Sequence, residues 1–368
     1  MKFLDAYRIN PDFPNRYIPP SSLEKYLKAN LSDYTAEIGK STLGKPIYMT
    51  TIGSGPVKVL AWSQMHGNES NSTHAMLDLL ETIKQHPLLH SNIFDNITLD
   101  FIFMLNPDGS ETWERRNALE LDLNRDFLKL ETVELPLLKH IALTGNYGFA
   151  LNLHEQRTIF TTDGVHPATL SFLSPSVSAE REVTAVRRKS MAVISAVYST
   201  LKAELPSGIG RYTDEFYPTS VGDNFSKAGI PTILFEGGYY PNDPLRMVSR
   251  KYYAAALYEA LHAIAGLKGD ESGYETYFEI PENRETHYDV IYRNVRLNTK
   301  FDCVLDIAVQ YREVYRSGDR EISFMPVVAA VGDCNDRKGW KEIDCTGKKF
   351  LSSTVYPKVE EEVQFEIL

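Results

Sequence analysis

The sequence predicts an α/β fold, with a mixed, mostly parallel central sheet and helices on both faces, followed by a small antiparallel β domain. Up to residue 272, short apolar segments alternate with longer amphipathic ones. From residue 273 onward, short segments alternate apolar and polar residues and are separated by brief turns. We therefore expect two domains, residues 1–272 and residues 273–368.

Hydrophobic periodicity places the elements of the first domain. We expect strands at 47–52, 57–62, 97–105, 149–153 and 230–235, and helices at 19–28, 72–86, 179–201 and 246–265. Ser21 or Ser22 is expected to cap the first helix, and Gly266 to close the last one. In the second domain we expect strands at 278–280, 287–297, 304–315, 322–331 and 363–368.

Composition narrows the class of partner and the location. The chain has 368 residues, 43% hydrophobic and 24% charged, as in ordinary soluble proteins, and its net charge of -10 argues against nucleic acid or an anionic membrane as partner. Cys303, Cys334 and Cys345 do not have the spacing of a disulfide framework or a structural zinc site. Because no signal segment or membrane-spanning apolar run is visible, we expect a cytoplasmic protein.

His66 and Glu69 offer two metal ligands in a His-Gly-Asn-Glu turn that follows an expected strand. His154, at the end of another expected strand, offers a third. Catalytic zinc typically takes three protein ligands and leaves one position open, and two histidines with one glutamate form such a set. In open α/β sheets the site lies at the strand ends, where Asn106 and Glu236 are also expected. These residues predict a catalytic zinc centre.

A cluster of arginines follows the turn Asn106-Pro-Asp-Gly. Arg115, Arg116 and Arg125 lie within eleven positions of one another. A guanidinium binds a carboxylate through two parallel hydrogen bonds, so arginines near a zinc centre indicate a substrate with an anionic terminus.

Together these motifs resemble the zinc carboxypeptidase family, the carboxypeptidase A-like metallopeptidases. The shared motifs occur in order over about residues 40–265: H-G-N-E, N-P-D-G, R-x-N…D-L-N-R-D-F, a strand ending in L-H and a strand ending in glutamate. The resemblance implies that His66, Glu69 and His154 bind one zinc ion. It assigns Arg115 to polarising the scissile carbonyl, Asn124 and Arg125 to binding the substrate's terminal carboxylate, and Glu236 to the role of general base.

The resemblance also implies roles for two residues before Glu236. Tyr217 matches the mobile tyrosine that closes over the substrate, with Tyr212 as the competing candidate. Asp223 matches the position that shapes the specificity pocket, where it would favour a basic or amino-bearing side chain.

The sequence departs from the family pattern around His154. Asn152 stands where an acid is usual, and Glu155 stands where a small residue is usual. Glu155 and Arg157 would either contact substrate or pair with each other. The β domain after residue 272 has no counterpart in the minimal family fold.

The leading interpretation is a zinc-dependent metallocarboxypeptidase that hydrolyses the C-terminal amide bond of peptides or peptide-like substrates. The expected partner is a peptide with a free carboxylate, without nucleic acid or a membrane span, and the oligomeric state is left open. The alternative is a zinc amidohydrolase for N-acyl amino acids, similar to aspartoacylase and succinylglutamate desuccinylase, which share several of these motifs. A non-catalytic binding protein is the third interpretation, although all the expected zinc ligands and the expected base are present.

Overall fold

A computed structural model describes residues 2–297, 303–319 and 321–368. The strands before residue 286 are β1 (Thr35–Lys40), β2 (Pro46–Ile52), β3 (Val57–Trp62), β4 (Ile97–Phe103), β5 (Phe149–Glu155), β6 (Phe160–Thr161), β7 (Leu170–Leu173), β8 (Ile209–Arg211), β9 (Thr232–Gly237) and β10 (Arg284–Glu285). The α-helices are α1 (Phe3–Ala6), α2 (Pro20–Asn30), α3 (Asn71–Gln85), α4 (Pro87–Phe94), α5 (Pro107–Thr112), α6 (Glu134–Thr144), α7 (Ala185–Leu201), α8 (Val221–Lys227) and α9 (Met247–Leu267). Short 3₁₀ segments lie at Ser32–Tyr34, Leu123–Arg125 and Tyr274–Glu279.

An eight-stranded sheet in the order β1-β2-β4-β3-β5-β9-β7-β8 forms the centre of the molecule. The neighbours β4, β3, β5 and β9 run parallel, whereas β1, β2 and β7 each join an antiparallel pair. In the sheet, β4 lies on one side of β3 and β5 lies on the other side, so the strand order reverses at β3. Such a reversal of strand order opens a crevice at the carboxyl ends of the strands, and the predicted site falls there.

Helices cover both faces of this sheet, as predicted. In β3, Val59 and Ala61 face the larger core, which includes apolar residues of α3, α7 and α9. Leu60 and Trp62 face the opposite core, with residues of α6 and α8. The predicted mixed α/β fold is confirmed.

The remaining strands form two smaller sheets. They are β11 (His287–Arg296), β12 (Val304–Val314), β13 (Ser323–Gly332), β14 (Lys338–Asp344), β15 (Phe350–Ser352) and β16 (Phe365–Ile367). The four-stranded sheet has the order β13-β12-β11-β14, and β14 runs parallel to β11, unlike the expected all-antiparallel arrangement. The segment expected as a strand at 278–280 instead begins within a 3₁₀ helix. The division into domains at residue 272 stays a prediction.

Three expected helix ends were wrong for identifiable reasons. Neither Ser21 nor Ser22 caps α2, because Pro20 takes the first helical position, where its fixed φ suits the helix. The helix expected from residue 179 begins only at Ala185, since Arg181 has a left-handed φ of 58° and Thr184 caps α7. Gly266 lies inside α9, which ends at Leu267. Lys268 caps the helix in the left-handed conformation. Among the described residues, the helices lack the combined length and apolarity that crossing a membrane requires.

A buried ion pair joins α3 to α9 beneath the sheet. Asp78 accepts hydrogen bonds from the Arg250 guanidinium, from the Tyr7 hydroxyl at 2.5 Å and from the Asn10 backbone amide at 2.7 Å. Arg250 also donates to the carbonyl of Phe13 at 2.8 Å. Both charged side chains are at most 2% exposed, so each depends on the other for compensation. This pair fixes the N-terminal segment onto the helix layer.

We expect Asp78→Ala to lower the free energy of unfolding by about 3–5 kcal/mol, because it leaves the Arg250 charge buried and unpaired. Urea denaturation followed by circular dichroism measures this. Lys28→Ala, which removes an exposed ion pair with Glu24, is the control and should have a far smaller effect. A loss below about 1 kcal/mol for Asp78→Ala would mean that the pair is not needed for stability.

Candidate metal centre and substrate cleft

The turn that carries His66 is held by close backbone packing against α5. A Cβ atom at Gly67 would lie 2.1 Å from the carbonyl carbon of Gly109, so only glycine fits at residue 67. Asn106 caps α5 by accepting from the Gly109 amide at 3.0 Å, and Gln64 donates to the Gly67 carbonyl at 2.9 Å. The H-G-N-E and N-P-D-G motifs therefore form one packed unit, which sets the position of His66.

The three predicted ligands converge at the strand ends. His66 Nδ1 lies 2.8 Å from Glu69 Oε1, His154 Nδ1 lies 3.0 Å from Glu69 Oε2, and the two Nδ1 atoms are 3.1 Å apart. Ligand atoms on a tetrahedral zinc, each about 2.0–2.1 Å from the ion, are roughly 3.3 Å apart. Two ring nitrogens and a carboxylate brought this close supply the electron pairs that such an ion binds. The His66, Glu69 and His154 site fits a single zinc ion.

Asp122 fixes the orientation of the His66 ring. Its Oδ1 lies 3.1 Å from His66 Nε2 and accepts from the Asn124 amide at 2.8 Å. Since an ionised carboxylate only accepts, Nε2 would donate to Asp122 when a metal is bound, which leaves the Nδ1 lone pair for the ion. Burial opposes ionisation, but the hydrogen bond from His66 and the charge of Arg115 hold the pKa of Asp122 well below its usual range. Burial lowers the pKa of His154, which keeps that ring neutral and able to bind metal.

Glu236 lies beside the metal position. It pairs in register with His154 across the parallel strands β5 and β9. Its Oε2 atom is buried and has no hydrogen-bond partner among the described residues. Burial, and then repulsion from Glu69, raises the pKa of Glu236 well above its usual range, while Arg115 opposes the shift. A carboxylate with a raised pKa and an unengaged oxygen suits proton transfer.

Arg115 reaches the same cluster from the loop after α5. Its Nη1 donates to Glu69 Oε1 at 3.1 Å, and its Nε and Nη2 lie 3.1 and 3.0 Å from Asp122 Oδ2. The side chain is 44% exposed, so part of the guanidinium faces the cleft.

The other predicted substrate residues form a second group. Asn124 Oδ1 accepts from the Val221 amide at 3.0 Å at the start of α8, and the Arg125 guanidinium lies 5.6 Å from the centre of the Tyr217 ring. Tyr217 is 46% exposed. The competing Tyr212 instead donates from its hydroxyl to Gln156 Oε1 at 2.7 Å. Of the two tyrosines, Tyr217 is the exposed one beside Arg125, whereas the Tyr212 hydroxyl is engaged with Gln156.

A cavity of about 750 Å³ connects the metal-ligand cluster with the group around Asn124 and Arg125. All nine predicted site residues line it. Asp223 lies on its wall, where burial raises its pKa despite a hydrogen bond from Ser220. Asn152 and Leu234, paired in register on β5 and β9, also line this cavity. Asn152 is fully buried, and neither its Nδ2 nor its Oδ1 has a partner among the described residues.

Sequence reasoning missed two of these residues, and one of the two alternatives that it left open for Glu155, pairing with Arg157, is wrong. Asp122 lies within the D-L-N-R motif, and its place two residues before Asn124 was the available signal. Asn152 stood out only as a departure from the family pattern. Glu155 does not pair with Arg157; it pairs with Arg16 and, at 3.3 Å, with Arg246, which come from distant parts of the chain.

Sequence comparison finds a family resemblance in the N-terminal part of the chain. A sequence model of the zinc carboxypeptidase family matches residues 23–148. Residues 23–148 are thus similar to zinc carboxypeptidases. The matched range includes His66, Glu69, Arg115, Asn124 and Arg125, whereas His154 and Glu236 lie beyond it. The zinc carboxypeptidase resemblance predicted from the motifs is thereby confirmed.

A curated relative is Carboxypeptidase SOL1 of Arabidopsis thaliana, which is 32% identical over 130 residues. That match covers 30% of this chain and 26% of the relative, so the chain spans about a quarter of the relative's length in the match.

Solved structures share the fold across more of the chain. A metallo-carboxypeptidase from Burkholderia cenocepacia superposes with a TM-score of 0.53 at 15% identity, covering 67% of this chain and 68% of its own. A metallo-carboxypeptidase from Pseudomonas aeruginosa, in complex with (2-guanidinoethylmercapto)succinic acid, has a TM-score of 0.51 at 14% identity. The superposition covers 68% of this chain and 69% of the other. Bovine thrombin-activatable fibrinolysis inhibitor, in complex with tick carboxypeptidase inhibitor, has a TM-score of 0.53 at 15% identity, covering 68% and 95%. The carboxypeptidase-like fold of the predicted catalytic domain is confirmed.

We expect Asp122→Ala to weaken zinc binding about 10- to 100-fold, because it removes the acceptor that orients His66. Competition against a fluorescent zinc chelator gives the affinity. His154→Ala, which removes a predicted ligand, should lose most of the zinc. His166→Ala, which alters an exposed histidine paired with Asp163, should leave the affinity unchanged. Unaltered zinc affinity in Asp122→Ala would show that Asp122 does not support the metal site.

Proposed function

We propose that this chain is a zinc-dependent metallocarboxypeptidase that hydrolyses the C-terminal amide bond of peptides or peptide-like substrates. The observation that carries the proposal is the convergence of His66, Glu69 and His154 at the strand ends, with Glu236 beside them. The family match over residues 23–148 supports the same chemistry and does not favour the amidohydrolase alternative.

His66, Glu69 and His154 would hold the metal. A zinc ion bound there supplies a Lewis acid and lowers the pKa of a bound water to about 7. Glu236 accepts the proton of the attacking water and then delivers it to the leaving amine. Arg115 donates hydrogen bonds to the oxygen on which negative charge develops in the transition state. Both residues already face the metal position.

The terminal carboxylate of the substrate binds at the second group. Arg125 offers a planar fork of donors for a carboxylate, and Asn124 is held by the start of α8. Tyr217, packed over Arg125, closes on the bound terminus. A terminus bound there would place the cleaved bond one residue from the C-terminus.

The side chain of the terminal residue enters the part of the cavity lined by Asn152, Leu234 and Asp223. Asp223 is buried and its pKa is raised, so a cationic side chain would stabilise its ionised form. The amide of Asn152 offers an unused donor and an unused acceptor. We therefore propose a preference for lysine or arginine at the C-terminus.

We expect Glu236→Gln to lower kcat by at least about 10³-fold while zinc content stays at the wild-type level, because glutamine cannot exchange the proton. Turnover of a free-ended peptide and elemental analysis of the same sample measure both quantities. A variant that retained zinc and most of its activity would remove Glu236 as the base.

We expect Arg125→Ala to lower kcat/KM for free-ended peptides by about 10²-fold or more, since the charged hydrogen bonds to the carboxylate are lost. Mass spectrometry of paired peptides with free and amidated C-termini follows the reaction. Wild type should shorten only the free-ended member, and Arg125→Ala should retain its zinc. Equal cleavage of both members by wild type would rule out recognition of the terminal carboxylate.

The same peptide mixture tests the specificity pocket. Peptides ending in lysine should be shortened faster than those ending in leucine, and Asp223→Asn should reduce that difference. (2-Guanidinoethylmercapto)succinic acid, which carries a guanidino group and carboxylates, is a suitable inhibitor probe. Faster release of leucine would contradict a basic preference.

A further inference from the structure

One wall of the cavity comes from the second part of the chain. Four consecutive residues, Gln310 to Glu313 of β12, line it together with Gln156, Arg157 and Thr158, which directly follow β5. This wall lies beyond His154 in the direction of the chain, whereas Asn152 and the specificity pocket precede His154. Asn124, next to Arg125, accepts from the Val221 amide, and a Cβ at the neighbouring Gly222 would lie 3.9 Å from Asn152 Nδ2. We therefore infer that the wall borders the substrate on the side away from Arg125, where the acyl portion lies.

Buried charges tie this wall to the metal ligands. Glu313 accepts from Nε and Nη2 of Arg16, each at 3.0 Å, and from Trp113 Nε1 at 3.2 Å. Arg16 also pairs with Glu155, the residue after His154, and both side chains are at most 4% exposed. The wall is thus held in a fixed position relative to the metal centre.

A second contact joins β12 to the residues after β5, next to two arginines of the cavity lining. The Gln310 side chain donates to Thr158 Oγ1, and Trp340 Nε1 donates to the Thr158 carbonyl at 2.8 Å. Arg157 precedes Thr158. Side chains two residues apart on a strand share a face, so Arg312 lies on the same face of β12 as Gln310. Arg157 and Arg312 both line the cavity, and each lies within two residues of this contact along its own segment.

These two arginines differ from the buried ones in their partners. The Arg157 and Arg312 side chains are 70% and 53% exposed, and their ion-pair partners Glu285 and Glu360 lie 3.7 and 3.6 Å away. Exposed pairs at such distances contribute little. Their guanidinium groups are available to a carboxylate of a ligand in the cavity.

We propose that the C-terminal β domain completes the substrate site, and that Arg157 and Arg312 bind a carboxylate in the acyl portion of the substrate. The inference rests on the proposed function, because the acyl side is defined by the terminal carboxylate at Arg125. The preferred substrates are thus peptides with an acidic residue one or two positions before the cleaved bond.

Binding to the zinc-loaded Glu236→Gln protein tests the subsite without turnover. The probes are Ac-Glu-Lys against Ac-Gln-Lys, and Ac-Glu-Ala-Lys against Ac-Gln-Ala-Lys, measured by isothermal titration calorimetry. In at least one pair the glutamate peptide should bind about tenfold more tightly, as expected for a carboxylate held by two arginines. Adding Arg312→Ala or Arg157→Ala should reduce the ratio below about threefold. Arg316→Ala, an exposed arginine after β12 and outside the cavity lining, should leave it unchanged.

Equal affinities within both pairs would overturn the proposal. So would an Arg312→Ala effect of the same size on both members, since Arg312 would then act only as a wall. Turnover by wild type separates this outcome from failure of the proposed function. If wild type cleaves Ac-Gln-Lys but the Glu236→Gln protein binds both members of each pair equally, only the subsite is wrong. If glutamate is preferred in binding but no peptide is cleaved, the subsite stands and the peptidase activity is wrong.

Discussion

The Glu69 carboxylate is the point at which the separate segments of the site meet. Its Oε1 contacts His66 and Arg115, and its Oε2 contacts His154 and accepts from the Glu155 amide at 3.1 Å. A buried carboxylate is costly unless charged or hydrogen-bonding groups surround it. The H-G-N-E turn, the arginine loop and the end of β5 therefore stabilise one anion together, and a metal bound there would strengthen the same arrangement.

Backbone strain accompanies this arrangement at the strand ends. Gln64 and Met104 both have left-handed φ angles, 46° and 51°, just after β3 and β4. Non-glycine residues persist in this conformation only where the surrounding structure compensates. The Gln64 side chain does so by donating to the Gly67 carbonyl and to Ser110 and by accepting from Thr73 at 2.6 Å. The chain thus turns sharply at both strand ends and brings His66 over the sheet.

A second set of buried charges extends from the metal ligands to the β domain. Glu155 pairs with Arg16 and Arg246, and Arg16 continues to Glu313 on β12. Arg16 would keep a charged partner if either Glu155 or Glu313 were removed, whereas removal of Arg16 would leave Glu313 without this buried partner, which is costly. Strand β12 is consequently part of the cleft wall, although it is far from the metal motifs in sequence.

The sequence by itself determined the mixed α/β class, the main strands and the zinc carboxypeptidase resemblance. It also pointed to nine of the residues that line the cleft. These follow from local periodicity and from short motifs, such as His66 to Glu69, whose spacing reflects a single turn. The ends of helices α2 and α9 were not predicted correctly from the sequence. Several residues near each end could begin or end the helix, and the local pattern does not choose among them. Only the tertiary structure decided the partners of Glu155, the hydrogen bond from His66 to Asp122 and the place of Arg312. Those depend on contacts between residues up to some 300 positions apart, which no local pattern encodes.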